Sequence, residues 1–286
     1  MNCWVCGKNV FSRCGGTDEL SLHPDSFKIT DANYGISLPR YKCRNCGFIQ
    51  CDTTDVTKFY EKLKDEAYID SSNQRALQFK KLLKNVKHYI PANGKILDIG
   101  AGSGLFLREA ANLGYSVTGI EPSLFLTNAG KKSGLNIIQG TFPENCPCEK
   151  YDAIFLTDVI EHIADPLSML EKIPNFLASG GRVIVTTPDV SSVMARVMGK
   201  RWWHYRIAHV GYYNKHNLEM IMDRAGMHLV KWKYAKWYFS SRYIAERLLK
   251  YLPFAKPLSK LAPEKLMIPL NLFDSRLFVF EMKDNL

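Results

Sequence analysis

Apolar positions in the middle of the chain follow two spacings. Short, mainly apolar runs have the length expected of buried strands, and they lie at 95–99, 116–120, 136–139, 153–157 and 182–187. Apolar residues at three- and four-residue steps predict helices between these runs, at 103–113, 123–133 and 166–177. Strands that alternate with helices are typical of an α/β domain with a parallel sheet and helices on both faces. Ligands in such sheets bind at the carboxyl ends of the strands.

Further elements flank this alternating region. A helical pattern covers 59–89, where apolar residues recur among Lys and Glu, and the Pro- and Gly-containing stretch 90–94 ends it. Towards the other end, the sequence predicts a helix at 214–225 and strands at 227–233 and 276–281. The roughly 40 residues between those two strands have no obvious place in a compact sheet.

Six of the eight cysteines lie within the first 51 residues. Four of them form two C-x-x-C-G knuckles, Cys3 with Cys6 and Cys43 with Cys46. Each knuckle lets two thiolates reach one metal ion, and four sulfur ligands complete the tetrahedral shell that zinc takes in structural sites. A closed four-cysteine site has no open position for a substrate. We therefore expect a structural zinc ion in this region.

Other interpretations of the cysteines stay open. Disulfide bonds are weakly supported, because the chain starts without the basic-then-apolar layout of an export signal. We expect Cys14 and Cys51 to be buried or free thiols. The alternative is that one of them replaces a knuckle cysteine as a metal ligand. The 36 residues between the knuckles require a hairpin or helix of their own.

A glycine-rich turn follows the first predicted strand of the core. The segment reads LDIGAGSG at 97–104, so Gly100, Gly102 and Gly104 occupy alternate positions. Glycines let the backbone approach a ligand closely, and the helix that follows offers free N–H groups to a carboxylate or phosphate. The dinucleotide-binding fingerprint needs another glycine where Leu105 stands. A nicotinamide or flavin site is therefore disfavoured.

Four segments in this order resemble the motifs of class I S-adenosylmethionine (SAM) dependent methyltransferases. They are LDIGAGSG at 97–104, GIEPS at 119–123, YDAIFLTDVIEHIADP at 151–166 and GGRVIVTTP at 180–188. The resemblance implies a Rossmann-like α/β sheet of seven strands in the order 3-2-1-4-5-7-6, with the seventh strand antiparallel. An N-terminal zinc module joined to this fold is similar to bacterial methyltransferases that act on sugars and cell-surface polysaccharide intermediates.

The resemblance also assigns residues to a SAM site. Gly100, Gly102 and Gly104 would shape the pocket for the methionine part of SAM, with Asp98 orienting its ammonium group. Glu121, at the end of the second core strand, would accept hydrogen bonds from both ribose hydroxyls. The alternative for Asp98 is a purely structural role, as a cap of the neighbouring helix or loop.

Three more residues are placed near the cofactor by the same resemblance. Thr141 and Phe142 would face the adenine, with Phe142 stacking on the ring. Many relatives have an acidic residue where Thr141 stands, so the base contacts are left open. Asp158, at the end of the fourth core strand, would lie beside the methionine part, and its alternative role is to cap the turn.

Methyl transfer to a hydroxyl needs a base, because SAM already carries an activated methyl group and the acceptor must lose a proton. His162 follows Asp158 by four residues, near the cofactor-facing end of the strand, and the usual pKa of histidine suits general-base catalysis. A hydrogen-bonded histidine that only orders the loop is an equal alternative. His209 is the second candidate, since related methyltransferases place a histidine followed by aromatic residues just before the helix here.

Composition and charge bear on the acceptor. The chain has 286 residues, 46% hydrophobic and 23% charged, with a net charge of +10, which is typical of a globular protein with a basic excess. Residues 191–286 hold 17 Lys and Arg against 7 Asp and Glu, so the whole excess lies there. Residues 1–60 are close to neutral, which disfavours a zinc module that grips nucleic acid.

We accordingly expect a small-molecule or lipid-linked glycan acceptor. Sugar C-methylating relatives usually carry a longer C-terminal domain, which favours O-methylation here. An RNA-directed methyltransferase or binding protein, and a SAM-binding protein without catalysis, are the alternatives. The oligomeric state is left open.

A basic, aromatic-rich stretch at 231–260 predicts an amphipathic helix within the unassigned region. Such a helix suits an anionic membrane surface, and a helix packed on its own sheet is the alternative. No run of 18 apolar residues occurs. We therefore expect a cytoplasmic protein, with peripheral contact at the inner face of the membrane as a further option.

The sequence predicts four parts. They are a zinc-binding module at 1–58, a helical connector at 59–90, a SAM-binding core at 91–190, and an acceptor-side lobe at 191–286 that contains the last strands and the basic insertion.

Overall fold

The computed structural model describes residues 1–30, 34–53, 56–70, 72–241 and 267–283. Its helices are α1 (Thr57–Glu61), α2 (Glu66–Asp70), α3 (Ser72–Val86), α4 (Leu105–Ala111), α5 (Leu124–Lys132), α6 (Pro166–Leu170), α7 (Val193–Met198) and α8 (Lys215–Arg224). Short 3-10 helices occupy Pro24–Phe27, Lys87–Tyr89, Ile160–His162, Ile173–Asn175 and Gly199–Arg201. The strands are β1 (Phe11–Gly15), β2 (Arg40–Cys43), β3 (Ile49–Cys51), β4 (Lys95–Ile99), β5 (Ser116–Glu121), β6 (Ile137–Gln139), β7 (Tyr151–Thr157), β8 (Leu177–Pro188), β9 (Gly211–Tyr212), β10 (Met227–Tyr234), β11 (Trp237–Ser240), β12 (Met267–Leu270) and β13 (Ser275–Met282).

A seven-stranded sheet forms the centre of the molecule. Its strands lie in the order β10-β13-β8-β7-β4-β5-β6. The neighbours from β8 to β6 are parallel, whereas β13 is antiparallel to both β8 and β10. Counted along the core, this is the order 3-2-1-4-5-7-6 with an antiparallel seventh strand. The predicted Rossmann-like α/β fold is therefore confirmed.

Alternate residues of the central strands face two separate cores. Leu97 and Ile154 belong to one cluster, together with side chains of α8. Ile96 and Phe155 belong to the other, together with side chains of α3 and α4. Successive side chains of a strand point to opposite faces of the sheet. Since both faces are covered, these strands are apolar on both sides and read as short continuous runs in the sequence.

The helical region predicted at 59–89 is not one continuous helix, because three helices and a 3-10 turn occupy it. Asp65 accounts for the main break. Its Oδ1 accepts a hydrogen bond from Tyr68 N at 3.0 Å, which caps the start of α2. Its two oxygens also accept hydrogen bonds from the amide and hydroxyl of Thr30, at 3.0 and 2.7 Å. The connector is thereby tied to the N-terminal residues.

The segment between β7 and β8 also departs from the prediction. The helix expected over 166–177 ends early as α6, and the 3-10 turn Ile173–Asn175 follows it. Strand β8 begins at Leu177, well before the predicted start, and its pairing with β7 shifts register near this end. Gly180, with φ of +71°, permits the irregular backbone at the shift.

The N-terminal residues form a second sheet, in the order β1-β2-β3-β9. Its last strand, β9, comes from the C-terminal third of the chain. Antiparallel pairing joins Ile49 to Tyr212 and Gln50 to Gly211. The amide of Cys51 donates to the carbonyl of Val210 at 2.8 Å and extends the pairing. The N-terminal sheet is therefore completed by residues more than 150 positions away.

The sulfur atoms of Cys3, Cys6, Cys43 and Cys46, which we call the four-cysteine cluster, converge beside this sheet. The Sγ–Sγ distances are 3.6 Å for Cys3 with Cys46 and 3.6 Å for Cys6 with Cys43, and all four atoms lie within 4.8 Å of one another. Helix α8 contacts the second knuckle, because Asn217 Nδ2 donates to Cys46 O at 2.9 Å. The other two N-terminal cysteines do not belong to the cluster.

The C-terminal third supplies α7, α8, β9, β10 and β13. A two-stranded antiparallel sheet of β11 and β12 occupies part of the stretch that the sequence left unassigned. The predicted basic helix falls largely on 242–266, outside the described residues, and stays a prediction, as does the four-part division of the chain. Among the helices described, none has the length and apolar character needed to cross a bilayer.

Candidate functional site

A cavity of about 580 Å³ opens at the carboxyl ends of the parallel strands. Gly100 follows β4, Glu121 ends β5, Thr157 ends β7 and Pro188 ends β8, and all four line it. Side chains of α1, α2 and α3 cover the cavity from the other side. Its position is the one expected for a ligand of a parallel α/β sheet.

Most of the predicted site residues line this cavity; they are Gly100, Gly102, Glu121, Thr141, Phe142, Asp158, His162 and His209. Asp98 and Gly104 are not among its lining residues. Gly104 has a φ of +78°, and a Cβ there would lie 2.5 Å from the Leu135 side chain and 2.7 Å from Ile137, so glycine is favoured there. Asp98 is buried, and burial and then the nearby Glu121 carboxylate raise its pKa well above the usual value. Its contact with an ammonium group stays a prediction.

Glu121 fastens the end of β5 to the glycine loop. Its Oε2 accepts a hydrogen bond from Gly102 N and its Oε1 accepts one from Ser123 N, both at 2.8 Å. Burial raises the pKa of Glu121 to about 7, against the effect of these two amide donors. Each carboxylate oxygen keeps a second lone pair. Glu121 is thus held in one orientation and remains able to accept hydrogen bonds from a ligand.

Two residues of the helical connector lie over the glycine loop, and the sequence did not single them out. The Tyr68 hydroxyl would be 2.6 Å from a Cβ on Gly102. The Arg75 guanidinium lies over the Tyr68 ring, 3.5 Å from its centroid. Both side chains line the cavity. A planar cation stacked on an aromatic ring is held in a defined orientation. Arg75 therefore provides an oriented positive charge near the glycine loop.

Another wall of the cavity follows β6. The Thr141 hydroxyl donates to Glu144 Oε2 at 3.0 Å, and the Thr141 amide donates to Asn145 Oδ1 at 3.0 Å. The Phe142 and Phe176 rings are 5.0 Å apart in an edge-on arrangement. Glu144 also lines the cavity. An acidic side chain is therefore present here, three residues beyond the position that is acidic in many relatives.

Asp158 occupies a sharp turn at the end of β7. Its φ is +55°, and its amide donates to the Thr186 carbonyl at 3.0 Å. Its Oδ1 accepts a hydrogen bond from the Thr186 hydroxyl at 3.1 Å. Burial raises the pKa of Asp158 to about 7. The carboxylate is thus oriented by β8 while it lines the cavity.

Glu161, His162 and His209, which we call the His–Glu cluster, lie together on the cavity wall. One potential ligand atom from each lies within 4.8 Å of the others. The two imidazole rings are 4.7 Å apart and nearly perpendicular. His162 Nδ1 is 2.8 Å from the Ala208 carbonyl and 2.6 Å from the Tyr60 hydroxyl. The two histidines predicted as candidate bases are therefore brought together by the fold.

Glu161 and His209 are more deeply buried than His162, at 2% and 5% exposure. Glu161 Oε2 accepts a hydrogen bond from the Thr187 hydroxyl at 3.0 Å. Glu161 Oε1 and His209 Nδ1 have no hydrogen-bond partner among the described residues. Buried polar atoms without partners are uncommon and energetically costly. These two atoms are therefore available to a ligand or ion bound in the cavity.

A family model for a methyltransferase domain matches residues 71–231, more than half of the chain. The chain belongs to this methyltransferase family.

Individual relatives agree with that assignment. A ubiquinone biosynthesis O-methyltransferase of Bradyrhizobium sp. (strain ORS 278) is 29% identical over 139 residues, which cover 46% of this chain and 51% of the relative. A tRNA U34 carboxymethyltransferase of Campylobacter hominis is 32% identical over 133 residues, covering 43% of this chain and 45% of the relative. The methyltransferase thus spans about half the length of the curated relatives it matches.

The fold has a matching solved structure. A SAM dependent methyltransferase from Archaeoglobus fulgidus superposes with a TM-score of 0.51 at 15% identity, covering 76% of this chain and 99% of that one. At this identity the likeness concerns the fold alone.

In this methyltransferase, the pKa values of the two histidines and the glutamate of the His–Glu cluster are shifted in opposite directions. Burial lowers the pKa of His162 to about 4, although its hydrogen bond to Ala208 opposes the shift. Burial, with His162, Arg206 and His204 nearby, lowers the pKa of His209 well below the usual value, although a contact with the His204 backbone opposes the shift. Burial and the nearby Asp158 carboxylate raise the pKa of Glu161 well above its usual value. Both imidazoles are therefore neutral near neutral pH, with lone pairs available.

Sequence reasoning about this methyltransferase missed Glu161 as a site residue. It stands inside the quoted segment 151–166, next to His162, but the resemblance assigned it no role. The available signal was a carboxylate directly beside a candidate base. Tyr60 and Arg206 were missed too, since they lie in segments assigned to the connector and the C-terminal lobe; both line the cavity.

Proposed function

We propose that this methyltransferase uses SAM to methylate a hydroxyl oxygen of a small organic acceptor. The observation that carries the proposal is a single cavity lined by two chemically different groups of residues. One group is the glycine loop with Glu121 and Arg75, and the other is the His–Glu cluster. The relatives named as O-methyltransferases support transfer to oxygen.

SAM, when bound, supplies a methyl group activated by a positively charged sulfur. In the proposed arrangement, Gly100 and Gly102 leave space for its methionine part, and the guanidinium of Arg75 attracts its carboxylate. Glu121 accepts hydrogen bonds from the ribose hydroxyls with the lone pairs that its amide donors leave free. Phe142 packs against the adenine. Asp158 lies beside the methionine part and neutralises part of its positive charge.

In the same proposal, the residues of the His–Glu cluster act on the acceptor. The Ala208 carbonyl only accepts hydrogen bonds, so His162 Nδ1 carries the hydrogen and Nε2 keeps the lone pair. We propose His162 Nε2 as the atom that takes the hydroxyl proton. His209 Nδ1 is the second candidate. The depressed histidine pKa values keep both bases unprotonated before the acceptor binds.

We propose the acceptor as a chemical class, hydroxylated small molecules, and not as one compound. A sugar or other hydroxylated intermediate of cell-surface glycan biosynthesis, including a lipid-linked one, belongs to that class. Relatives named as ubiquinone biosynthesis O-methyltransferases favour a hydroxylated acceptor without favouring a glycan. The Campylobacter relative, named for tRNA, keeps an RNA acceptor as the second candidate.

We also propose that the four-cysteine cluster holds a structural zinc ion. Four sulfurs at about 2.3 Å from a tetrahedral zinc ion are about 3.8 Å apart. The two Sγ–Sγ distances of 3.6 Å are close to that value. The ion would stabilise both knuckles and, through β3 and β9, the segment that carries His209.

The test of the proposed function combines binding and transfer. Calorimetry with SAM should give binding to the wild-type chain, and Glu121→Ala should weaken it about 10- to 100-fold, because hydrogen bonds to a charged group are lost. The exposed Glu171→Ala is the matched control and should bind normally. Label from methyl-labelled SAM should pass into a hydroxylated small-molecule extract and not into total RNA. Absence of SAM binding, or label only in RNA, would refute the proposal.

A further inference from the structure

The His–Glu cluster has the composition of a metal site. Its members come from two separate segments, the 3-10 turn Ile160–His162 and the residues just before β9. Three potential ligand atoms, one from each residue, lie within 4.8 Å of one another. Two nitrogens and one carboxylate oxygen suit divalent first-row transition metals.

The hydrogen bonds around the cluster leave one ring nitrogen of His162 and one carboxylate oxygen of Glu161 available. His162 donates through Nδ1 to the Ala208 carbonyl at 2.8 Å, which leaves the Nε2 lone pair. Glu161 Oε2 is engaged by the Thr187 hydroxyl at 3.0 Å, which leaves Oε1. Ligands in metal sites are commonly oriented in this way, by a hydrogen bond on the atom that does not bind the ion.

A second observation points to a ligand. Glu161 Oε1 and His209 Nδ1 are buried and have no hydrogen-bond partner in the described part of the chain. Buried polar atoms without partners are uncommon, and an ion bound by both atoms would satisfy them.

The Arg206 guanidinium, a positive charge near the cluster, contacts backbone carbonyls of the N-terminal residues. Arg206 also influences the cluster electrostatically. Its Nη2 donates to the carbonyl of Lys28 at 2.6 Å, and both of its terminal nitrogens contact the carbonyl of Ile29 at 3.2 Å. The guanidinium is thus held by the N-terminal residues and does not pair with Glu161.

We propose that Glu161, His162 and His209 bind one divalent transition-metal ion whose open positions take the acceptor hydroxyl. This inference rests on the proposed function and replaces its proton-transfer step, because both imidazole lone pairs would bind the ion. Three protein ligands leave open positions, as in catalytic rather than structural metal sites. The acceptor class becomes an alcohol or phenol that binds a cation through oxygen.

The chemistry balances without an oxidant or reductant. The ion acts as a Lewis acid and lowers the pKa of the bound hydroxyl, whose proton passes to water in the cavity. The resulting oxygen anion forms the new O–CH₃ bond with its electron pair. The S–CH₃ bond breaks, and its electron pair stays on sulfur, which becomes a neutral thioether.

Cobalt(II) titration of the full chain tests the inference, after the four-cysteine cluster has been loaded with zinc. Cobalt at an N- and O-ligand site gives weak visible bands, whereas cobalt that displaces zinc from thiolates adds an intense sulfur-to-metal charge-transfer band. We expect one cobalt ion per chain without that band. Glu161→Gln and His209→Asn should weaken this binding roughly 100-fold or more. His228→Ala changes an exposed histidine that is not among the cavity's lining residues, and this control should bind cobalt normally.

SAM calorimetry on the same samples separates the two proposals. Normal SAM binding with no cobalt bound, or with cobalt binding that Glu161→Gln and His209→Asn leave unchanged, would refute the metal site alone. Lack of SAM binding by the wild-type chain would refute the proposed function, whatever the cobalt result. Zinc content and thermal unfolding of both variants check that they are folded.

Discussion

The four-cysteine cluster and the His–Glu cluster are two convergent groups of potential metal ligands, and they are built differently. The first draws all its atoms from two short knuckles within the first 46 residues, and four sulfurs close on one another. The second joins residues 47 positions apart, has three members and lines an open cavity. A closed set of ligands suits an ion that stabilises a fold, whereas an incomplete set leaves room for a reacting molecule.

The largest effect is expected when one ligand of the four-cysteine cluster is removed. Cys43→Ser should abolish zinc binding and destabilise the chain by several kcal/mol, because structural zinc contributes directly to folding free energy. Thermal unfolding and metal analysis measure the effect. Cys14→Ser, an exposed cysteine outside the cluster, should retain zinc and stability. Equal stability of the two variants would contradict a structural role.

The next largest effect is expected at the glycine loop that lines the open cavity. Gly102→Ala places a Cβ 2.6 Å from the Tyr68 hydroxyl at a φ of +56°, so SAM affinity should fall at least tenfold. Gly134→Ala is a matched control, because its φ is +76° and nothing lies within 4 Å of the added carbon. Both variants should lose about 1 kcal/mol of stability from backbone strain. If both lost SAM affinity equally, strain alone would explain the result.

A finer prediction concerns the orientation of Glu161. Thr187→Val removes the hydroxyl that binds Glu161 Oε2 and preserves the side-chain shape. Cobalt affinity should fall about 10- to 100-fold, the usual effect of losing a residue that orients a metal ligand. The four-cysteine cluster should keep its zinc, and SAM binding should stay unchanged. Unaltered cobalt binding would mean that Thr187 does not position the carboxylate.

The smallest effect is expected from Arg75→Lys. The charge stays, but the flat group stacked on Tyr68 is lost, and exposed cation–π contacts contribute about 0.5–1 kcal/mol. SAM binding should weaken about two- to fivefold in calorimetry. Lys80→Arg, on the outer side of the same helix, should change nothing. A loss larger than 100-fold would give Arg75 a more direct part in binding than proposed here.

The sequence predicted the central fold well because its strands are covered on both faces and because four motifs follow one another in order. Its failures have local physical causes. The helix over 59–89 breaks because the Asp65 side chain caps a new helix, an interaction that apolar periodicity does not contain. Strand β9 has only two residues, too few for any pattern, although it completes the N-terminal sheet.

The candidate site was predicted residue by residue, but not as an arrangement. His162 and His209 were both chosen as bases, yet only folding shows that their rings are 4.7 Å apart. Glu161 is a candidate site residue because one of its oxygens is buried without a partner among the described residues, which depends on three-dimensional packing. Tyr68 and Arg75 lie outside the motifs, and their importance depends on how the connector crosses the glycine loop.

The pairing of β9 with β3 has a consequence for the order of assembly during synthesis. The knuckle residues leave the ribosome before β9, the last strand of their sheet, which is made about 160 residues later. The N-terminal sheet is therefore a late-closing element with long-range contacts, which are slow to form. Until Gly211 and Tyr212 emerge, β3 has an unpaired edge, so metal capture by the knuckles would precede sheet closure and protect this region while the rest of the chain is completed.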